Sequence, residues 1–364
     1  MKVLHLIDSL GLGGAQTIVK GILESQKENH DIFLLSLRKS EIMFEINHDN
    51  VFIFNSYALF SFLPIFKIRQ IIKENKIELL HCHLMRSKVF GLIIKLFFCH
   101  RIKLLFHEHG EIFINGTKFE DWLVKFTYNR ANKFLFRTIA VSQAAKQCIV
   151  KKTRIKSDKI TVLLNFVDTC KFNKSNKTRS HELKSGLNVS SGIFKIGFVG
   201  RLDKVKGCED LLRALPYLNF EYRLIVAGDG VLRRSLEELA RQTGVASKVD
   251  FIGYVKQIEL LYPFFDILVV PSQSESFGLS AIEAQASGVA VIASDIPGLN
   301  EIVKDSESGL LFEAGNEMNL AEKITLLYTN SVLREALADK GFEQAQKYSL
   351  QNYSNDLEKI YMSK

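Results

Sequence analysis

Two carboxylates, Glu275 and Glu283, stand eight residues apart across a strand-to-helix turn. The apolar run Ile267 to Val270 predicts a buried strand, and the small-residue segment Leu279 to Ala286 predicts a helix. Between them lies Pro-Ser-Gln-Ser-Glu-Ser-Phe-Gly, ending on Ser276, Phe277 and Gly278. In an open parallel sheet such a turn sits at the carboxyl ends of the strands, where ligands bind. The start of the helix offers backbone N–H groups to phosphate. Three chemistries fit the pair. It is a general acid and base, a clamp on the two ends of a polyol ligand, or a polar loop with one buried, satisfied Glu.

Cations come in a second group, Gly200-Arg201-Leu202-Asp203-Lys204-Val205-Lys206-Gly207, after the apolar run Phe194 to Val199. A guanidinium fork and an ammonium suit a diphosphate, and together they stabilise charge on a departing phosphate. The alternative is solvated charge on a loop. Gly228-Asp229-Gly230 follows another strand and reads as a close backbone approach to a nucleotide or as a plain turn. Gly11-Leu12-Gly13-Gly14 invites a dinucleotide fingerprint, but Gln16 stands where the third glycine belongs. The second strand ends Ser36-Leu37-Arg38-Lys39, without an acidic ribose ligand, so no NAD site is expected. His107-Glu108-His109-Gly110 ends a strand without the His-Glu-x-x-His spacing of a zinc site. A polar contact from His109 to sugar or phosphate is the better reading. His81 and His83 are assigned to structure, and no metal is expected. Asn165-Phe166-Val167-Asp168 reads as a polar hinge without chemistry. Nucleophile elbow, Walker loop and Cys/His nucleophile pair are all missing from the sequence.

The elements that must carry these residues alternate strand and helix along the whole chain, the pattern of doubly wound parallel sheets. A first series runs to about residue 170, with strands at 2–7, 32–37, 51–54, 79–82, 103–107, 138–141 and 160–164. Residues 171–192, rich in Lys, Ser and Asn, read as a linker. A second series occupies 193–348, with strands at 194–199, 223–227, 249–252, 267–270 and 289–293. Two such sheets facing across a cleft would aim both sets of strand ends at one ligand.

A chain of 364 residues fits two domains. Its apolar runs fall short of the roughly 20 residues of a membrane span. Five scattered cysteines (82, 99, 148, 170, 208) without a Cys-x2-Cys pair point to a reducing cytoplasm. The net charge of +8 is uneven. Residues 1–190 carry 30 Lys and Arg against 16 Asp and Glu, and residues 191–364 carry 18 against 24. A basic first half expects an anionic partner: nucleic acid, an acidic membrane surface, or a phosphate-bearing lipid-linked substrate.

Taken in order, these segments resemble the retaining nucleotide-sugar glycosyltransferases of the GT-B fold, bacterial surface-polysaccharide enzymes among them. Glu275-Ser276-Phe277-Gly278 to Glu283 looks like that family's Glu-x7-Glu signature, and Gly200-Arg201 with Lys206-Gly207 like its diphosphate motif. Gly228-Asp229-Gly230, Asn165 to Asp168, Ser294 to Gly298 and Gly13-Gly14-Ala15 fall in the family's order. The resemblance implies a donor held by the second domain. Arg201 and Lys206 would take the diphosphate, Glu283 the ribose hydroxyls and Glu275 the sugar. Backbone N–H groups of Phe277, Gly278 and Leu279, with Ser276 beside them, would lie near sugar and phosphate. Gly13 and Gly14 would close the phosphate side, and His109 would meet the sugar's primary hydroxyl. It further implies transfer with retention, no cofactor and no obligatory metal. The last helix, from about residue 349, would cross back to the first domain. Pro297-Gly298, Phe166 and Gln16 depart from the family's usual residues.

The expected activity is transfer of a hexosyl or N-acetylhexosaminyl group to a lipid-linked or surface-glycan acceptor, with polysaccharide, lipopolysaccharide or glycolipid as product. The expected place is the inner face of the cytoplasmic membrane, with the Lys-bearing helices at 65–75 and 87–98 meeting anionic lipid. No nucleic acid is expected as partner. The competing readings are a nucleotide-sugar epimerase on the same fold and a basic nucleic-acid-binding protein.

Overall fold

The computed structural model of the chain describes residues 1–11, 13–38, 50–54, 62–110, 118–176 and 192–363. The readings placed on Leu12, on Lys39 and on most of the linker fall outside these residues. The chain divides into two units, Met1–Asn165 with Leu350–Lys364, and Phe166–Ser349.

The first unit holds strands β1 (Lys2–Ile7), β2 (Asp31–Ser36), β3 (Val51–Ile53), β4 (Leu79–His83), β5 (Lys103–Glu108), β6 (Leu135–Ala140) and β7 (Ile160–Val162). Between them run helices α1 (Gly14–Gln26), α2 (Leu63–Asn75), α3 (Leu84–Phe97), α4 (Lys118–Ala131) and α5 (Gln143–Lys152). The strands order as β3-β2-β1-β4-β5-β6-β7 and pair in parallel throughout. Every residue of β4 is buried, as a central strand covered by helices on both faces must be.

The second unit repeats the plan. Its strands are β8 (Phe194–Val199), β9 (Tyr222–Ala227), β10 (Val249–Gly253), β11 (Ile267–Val270), β12 (Ala290–Ser294) and β13 (Leu310–Phe312). They order as β10-β9-β8-β11-β12-β13, again parallel. Its helices are α6 (Cys208–Ala214), α7 (Arg233–Gln242), α8 (Ile258–Leu261), α9 (Leu279–Ala286), α10 (Leu299–Ile302), α11 (Glu317–Thr329) and α12 (Ser331–Ala345). Both sheets are therefore Rossmann-like and doubly wound, as the alternating pattern requires. The edge strand β13 is an addition to the sequence reading, because three residues carry no usable periodicity.

The last helix, α13 (Leu350–Met362), belongs to the first unit. It buries Tyr353, Leu357, Ile360 and Tyr361. The buried amide of Gln26 donates to the Ser354 carbonyl (3.0 Å) and hydroxyl (2.8 Å), and His30 Nε2 meets Glu358 at 2.5 Å.

One expectation for α3 fails. It starts at Leu84, which takes a left-handed conformation (φ 67°) at the turn out of β4, and its lysines do not face outward. Lys88 is buried to 1% exposure in an ion pair with Glu108. Lys95 Nζ turns back to the carbonyls of His100 (2.6 Å) and Ile102 (2.7 Å), closing the C-terminal turn. Lys88 therefore offers no charge to lipid, and Lys95 is tied to the end of its own helix.

Candidate active site

A doubly wound sheet opens a crevice where its strand order reverses, because the loops leaving the two central strands turn to opposite faces. In the second unit that point lies between β8 and β11. The loop after β8 carries Arg201 and Lys206, and the loop after β11 carries Glu275. Topology thus joins two motifs that lie some seventy residues apart in the chain.

Their side chains meet there. Lys206 Nζ and Glu275 Oε2 form an ion pair, both largely withdrawn from solvent. The Lys206 backbone N–H donates to Asp203 Oδ1 (3.2 Å), which caps the short turn that aims the lysine. Arg201 stays 75% exposed, its guanidinium 3.1 Å from Asp203. Backbone contacts lock the neighbouring loops. Gln273 N donates to the Val205 carbonyl (2.8 Å), and Leu202 N donates to the Asp229 carbonyl (3.0 Å).

Two glycines make this crowding possible. A Cβ on Gly228 (φ 137°) would stand 1.9 Å from the Gly200 carbonyl oxygen. One on Gly298 (φ 93°) would stand 2.1 Å from the Glu275 carbonyl oxygen. Gly228 therefore admits the Gly200 backbone, a contact made within the protein. The Asp229 carboxylate is engaged by its own turn, accepting from Gly230 N (2.8 Å) and Arg233 Nη1 (3.2 Å).

Glu283 sits half-buried on α9. Its Oε2 accepts from the hydroxyl of Tyr262 at 2.7 Å. Burial pushes its carboxyl up to about 7, against the pull of the Tyr262 hydrogen bond and the Lys171 charge, while Glu259 pushes it further up. Lys171 and Glu259 form their own pair at 3.4 Å. The two carboxylates of the signature thus have different partners, Glu275 the Lys206 side chain and Glu283 the Tyr262 hydroxyl. Gly278 caps α9 without any side chain, and in the first turn Ala281 N–H already donates to the Gly278 carbonyl (3.1 Å). The side chain of Phe277 is core, edge-on to Tyr348 at 5.9 Å. Ser276 is buried and Leu279 partly so.

Tyr262, Lys171 and Glu259 were not singled out from the sequence. Tyr262 lies in a 3-10 turn before β11, and nothing in its local pattern links it to a residue 21 positions on.

In the first unit, Gly13 caps α1 without a side-chain hydrogen bond, and Gly14 is its first residue. Gln16 Nε2 donates to the Ser9 carbonyl (3.3 Å). The corresponding reversal of strand order lies between β1 and β4. Parallel register sets His5 beside His81 and His83 beside His107. With His109 beyond the end of β5, five imidazoles gather on three neighbouring strands. His83 Nδ1 lies 2.8 Å from His109 Nε2, and His83 Nε2 lies 2.9 Å from His5 Nδ1. A parallel run goes from the Tyr361 hydroxyl to His81 Nδ1 (2.8 Å) and from His81 Nε2 to His107 Nδ1 (3.2 Å). Burial holds His81, His83 and His107 well below the ordinary imidazole range and His109 down to about 3, so all four are neutral. Beside them Glu108 accepts from both Lys88 and the Tyr128 hydroxyl. His5 had no part in the sequence reading, because its partners lie on other strands.

Asn165 to Asp168 spans the boundary of the two units. Asp168 Oδ1 accepts from Cys170 N and Lys171 N (both 3.1 Å) and so shapes the turn that presents Lys171.

Comparison with known proteins agrees with this architecture. The family described as Glycosyltransferase Family 4 matches residues 12–171, and Glycosyl transferases group 1 matches residues 181–344. An uncharacterized glycosyltransferase of Methanocaldococcus jannaschii is 28% identical over 96% of this chain and 94% of its own length. The capsular polysaccharide biosynthesis glycosyltransferase CapM of Staphylococcus aureus is 30% identical over 61% of this chain and 60% of its own. Several other relatives are matched over about half of their own length. Anabaena HepE, solved in complex with UDP and glucose, superposes with a TM-score of 0.87 at 21% identity, covering 99% of both chains. Adjoining family matches that tile both halves, on two parallel sheets of GT-B type, make the chain a glycosyltransferase with a Family 4 first half and a group 1 second half.

Proposed function

We propose that this glycosyltransferase moves a hexosyl or N-acetylhexosaminyl group, with retention, from a nucleotide-sugar donor to a lipid-linked or surface-glycan acceptor. The observation that carries the donor part is the Lys206–Glu275 pair at the switch point, with Glu283 on the helix that follows. Lys206 and Arg201 supply two positive charges to a diphosphate, and Lys206 keeps further N–H donors beyond the one it gives Glu275. Glu275, fixed by that lysine, accepts from hydroxyls of the sugar. Glu283 accepts from the ribose diol, and Tyr262 holds it in place. The N–H groups of the first turn of α9 complete the anion contacts.

Catalysis on this reading rests on positioning and on charge at the leaving group. As the sugar–phosphate bond breaks, Arg201 and Lys206 neutralise the departing diphosphate. The acceptor attacks from the same face, and the diphosphate oxygen takes its proton. Neither carboxylate is then needed as nucleophile, which agrees with Glu275 being held by an ammonium. Gly13, Gly14 and His109 of the first unit enter as further donor contacts by resemblance. The Nδ1 of His109 is a buried nitrogen without a partner among the described residues, and a sugar hydroxyl would satisfy it.

HepE was solved with UDP and with UDP-glucose, which puts uridine donors first among those to try. A thermal-shift and calorimetric screen of UDP-, GDP- and ADP-sugars tests the reading. Stabilisation by one nucleotide class, lost in Lys206→Ala and Glu283→Gln, supports it; no response to any of them defeats it. Release of nucleoside diphosphate only when acceptor is present separates transfer from epimerisation.

The acceptor side is proposed to work at an anionic bilayer. Among the described residues no helix is long and apolar enough to cross a membrane. α4 instead exposes a stacked ladder, Phe119 on Trp122 (5.9 Å) and Trp122 on Phe126 (5.3 Å), with Arg130 over Phe126. At the start of α2, Phe62, Leu63 and Phe66 are exposed on a helix that also carries Lys67, Arg69 and Lys73. Aromatic and basic side chains mixed on a helix surface suit the headgroup boundary of an acidic bilayer.

A further inference from the structure

The histidines of the first unit are more than the donor reading requires. That reading uses one nitrogen of His109, yet four more imidazoles are assembled behind it. Neutral imidazole has one donor and one acceptor, and in a closed core each needs a mate. Here the supply is uneven. Among the described residues, His107 Nε2 and His109 Nδ1 are buried and have no hydrogen-bond partner, although His107 is completely enclosed. A ring nitrogen from each of His83, His107 and His109 can be chosen so that all three lie within 4.8 Å of one another.

We propose that His83, His107 and His109 form a binding site for a first-row divalent transition metal of the zinc, nickel or cobalt type. Three features favour this over a merely packed core. The donor set is the first: neutral imidazoles are preferred ligands of these ions and poor ligands of calcium or magnesium. The second is spacing. Metal–nitrogen bonds of about 2.0–2.1 Å place neighbouring nitrogens roughly 3 Å apart, and His83 Nδ1 and His109 Nε2 stand at 2.8 Å. The third is support from behind. His83 is held through its other nitrogen by His5, and His107 is held by His81, which is held in turn by the Tyr361 hydroxyl. Metal-bound histidines are ordinarily oriented through their second nitrogen in this way.

Location agrees as well. His83 ends β4, and His107 and His109 lie at the end of β5, on the ligand-binding edge of the sheet. His109 is only partly buried and gives the ion a route in. The nearby charge of Lys88 is matched by Glu108, so it does not repel the cation as a bare ammonium would. A second candidate group, His5, His81 and His83, is wholly enclosed in the strands and offers no such access. The ion would tie β4 to β5 and fix the ring of His109.

The test uses tag-free full-length protein stripped with a chelator and titrated with Co2+, followed by visible absorption, with Zn2+ as competitor. One Co2+ per chain, displaced by Zn2+, is expected. His83→Ala and His109→Asn should each weaken it 100-fold or more, and His5→Gln by about 10- to 100-fold as a supporting residue. His109→Asn, at the partly exposed end, leaves the core intact if His83→Ala does not fold. A wild type that binds no Co2+ overturns the site, as does binding unchanged in a folded His109→Asn protein. Loss in His5→Gln with full retention in His107→Gln also overturns it, by placing the ion in the inner group. The readout contains no nucleotide sugar, so its failure leaves the donor site standing.

Discussion

At the scale of single residues, the two signature carboxylates stand in different surroundings, Glu275 against Lys206 and Glu283 against Tyr262. Glu283 has its carboxyl raised to about 7 by burial, so the free protein holds a proton there that an unfolded chain would have lost near the ordinary value of 4.5. A ribose diol donates hydrogen bonds and favours the ionised form. Donor affinity should therefore fall as pH drops below 7, with proton uptake by the buffer on binding. Calorimetry at pH 6 and 8 in two buffers should record it, and Glu283→Gln should flatten the dependence. For stability the sign is the reverse: the raised carboxyl favours the fold at acid pH, and that contribution is lost as pH rises through about 7. The Lys206–Glu275 pair predicts coupling. Lys206→Ala should cost tenfold or more in turnover, for a charge-assisted contact of about 1.5–3 kcal/mol. Since it also leaves Glu275 unpaired, the double variant with Glu275→Ala should be less impaired than the two losses multiplied.

At the scale of elements, the site depends on loops held at backbone distance. Gly298→Ala puts a methyl group 2.1 Å from the Glu275 carbonyl in a left-handed backbone. Donor affinity should drop by an order of magnitude or more, read by calorimetry, because the loop carrying Glu275 must move. α4 gives the opposite kind of prediction. Trp122 is 55% exposed and stacks only on its own helix neighbours among the ring contacts described. Trp122→Glu should lower cosedimentation with anionic vesicles severalfold while leaving melting temperature and donor binding unchanged.

At the scale of the whole chain, α13 stands far in sequence from the unit it completes. Its four large buried side chains contribute about 1.5–3 kcal/mol each. Their sum rivals the 5–15 kcal/mol by which a whole domain is stable. A chain truncated after Tyr348 should lose the cooperative melting of the first unit, seen by circular dichroism. Charge acts at the same scale. Binding to acidic vesicles should weaken steeply as salt rises from 50 to 500 mM, since the 30 basic residues of the first half act through a screened field.

Much of this was legible in the order of residues alone. Alternating apolar runs and amphipathic segments required two doubly wound parallel sheets, because short buried strands separated by helices have few other ways to close a core. Spacing singled out Glu275, Glu283, Arg201 and Lys206, and their loops lie at the switch point. Spacing was silent about partners across strands. Whether a given charge faces solvent is decided by what packs on it, which is why Lys88 turned inward against the expectation of a basic helix face. Tyr262 behind Glu283, and His5 and His81 behind His83 and His107, are neighbours only because parallel register and helix docking bring them together. The sequence by itself determined which chemical groups the chain owns and the plan of its sheets. The tertiary structure decided which of those groups meet, which are stripped of water, and hence which carboxyl keeps its proton and which imidazoles stand neutral with lone pairs to offer.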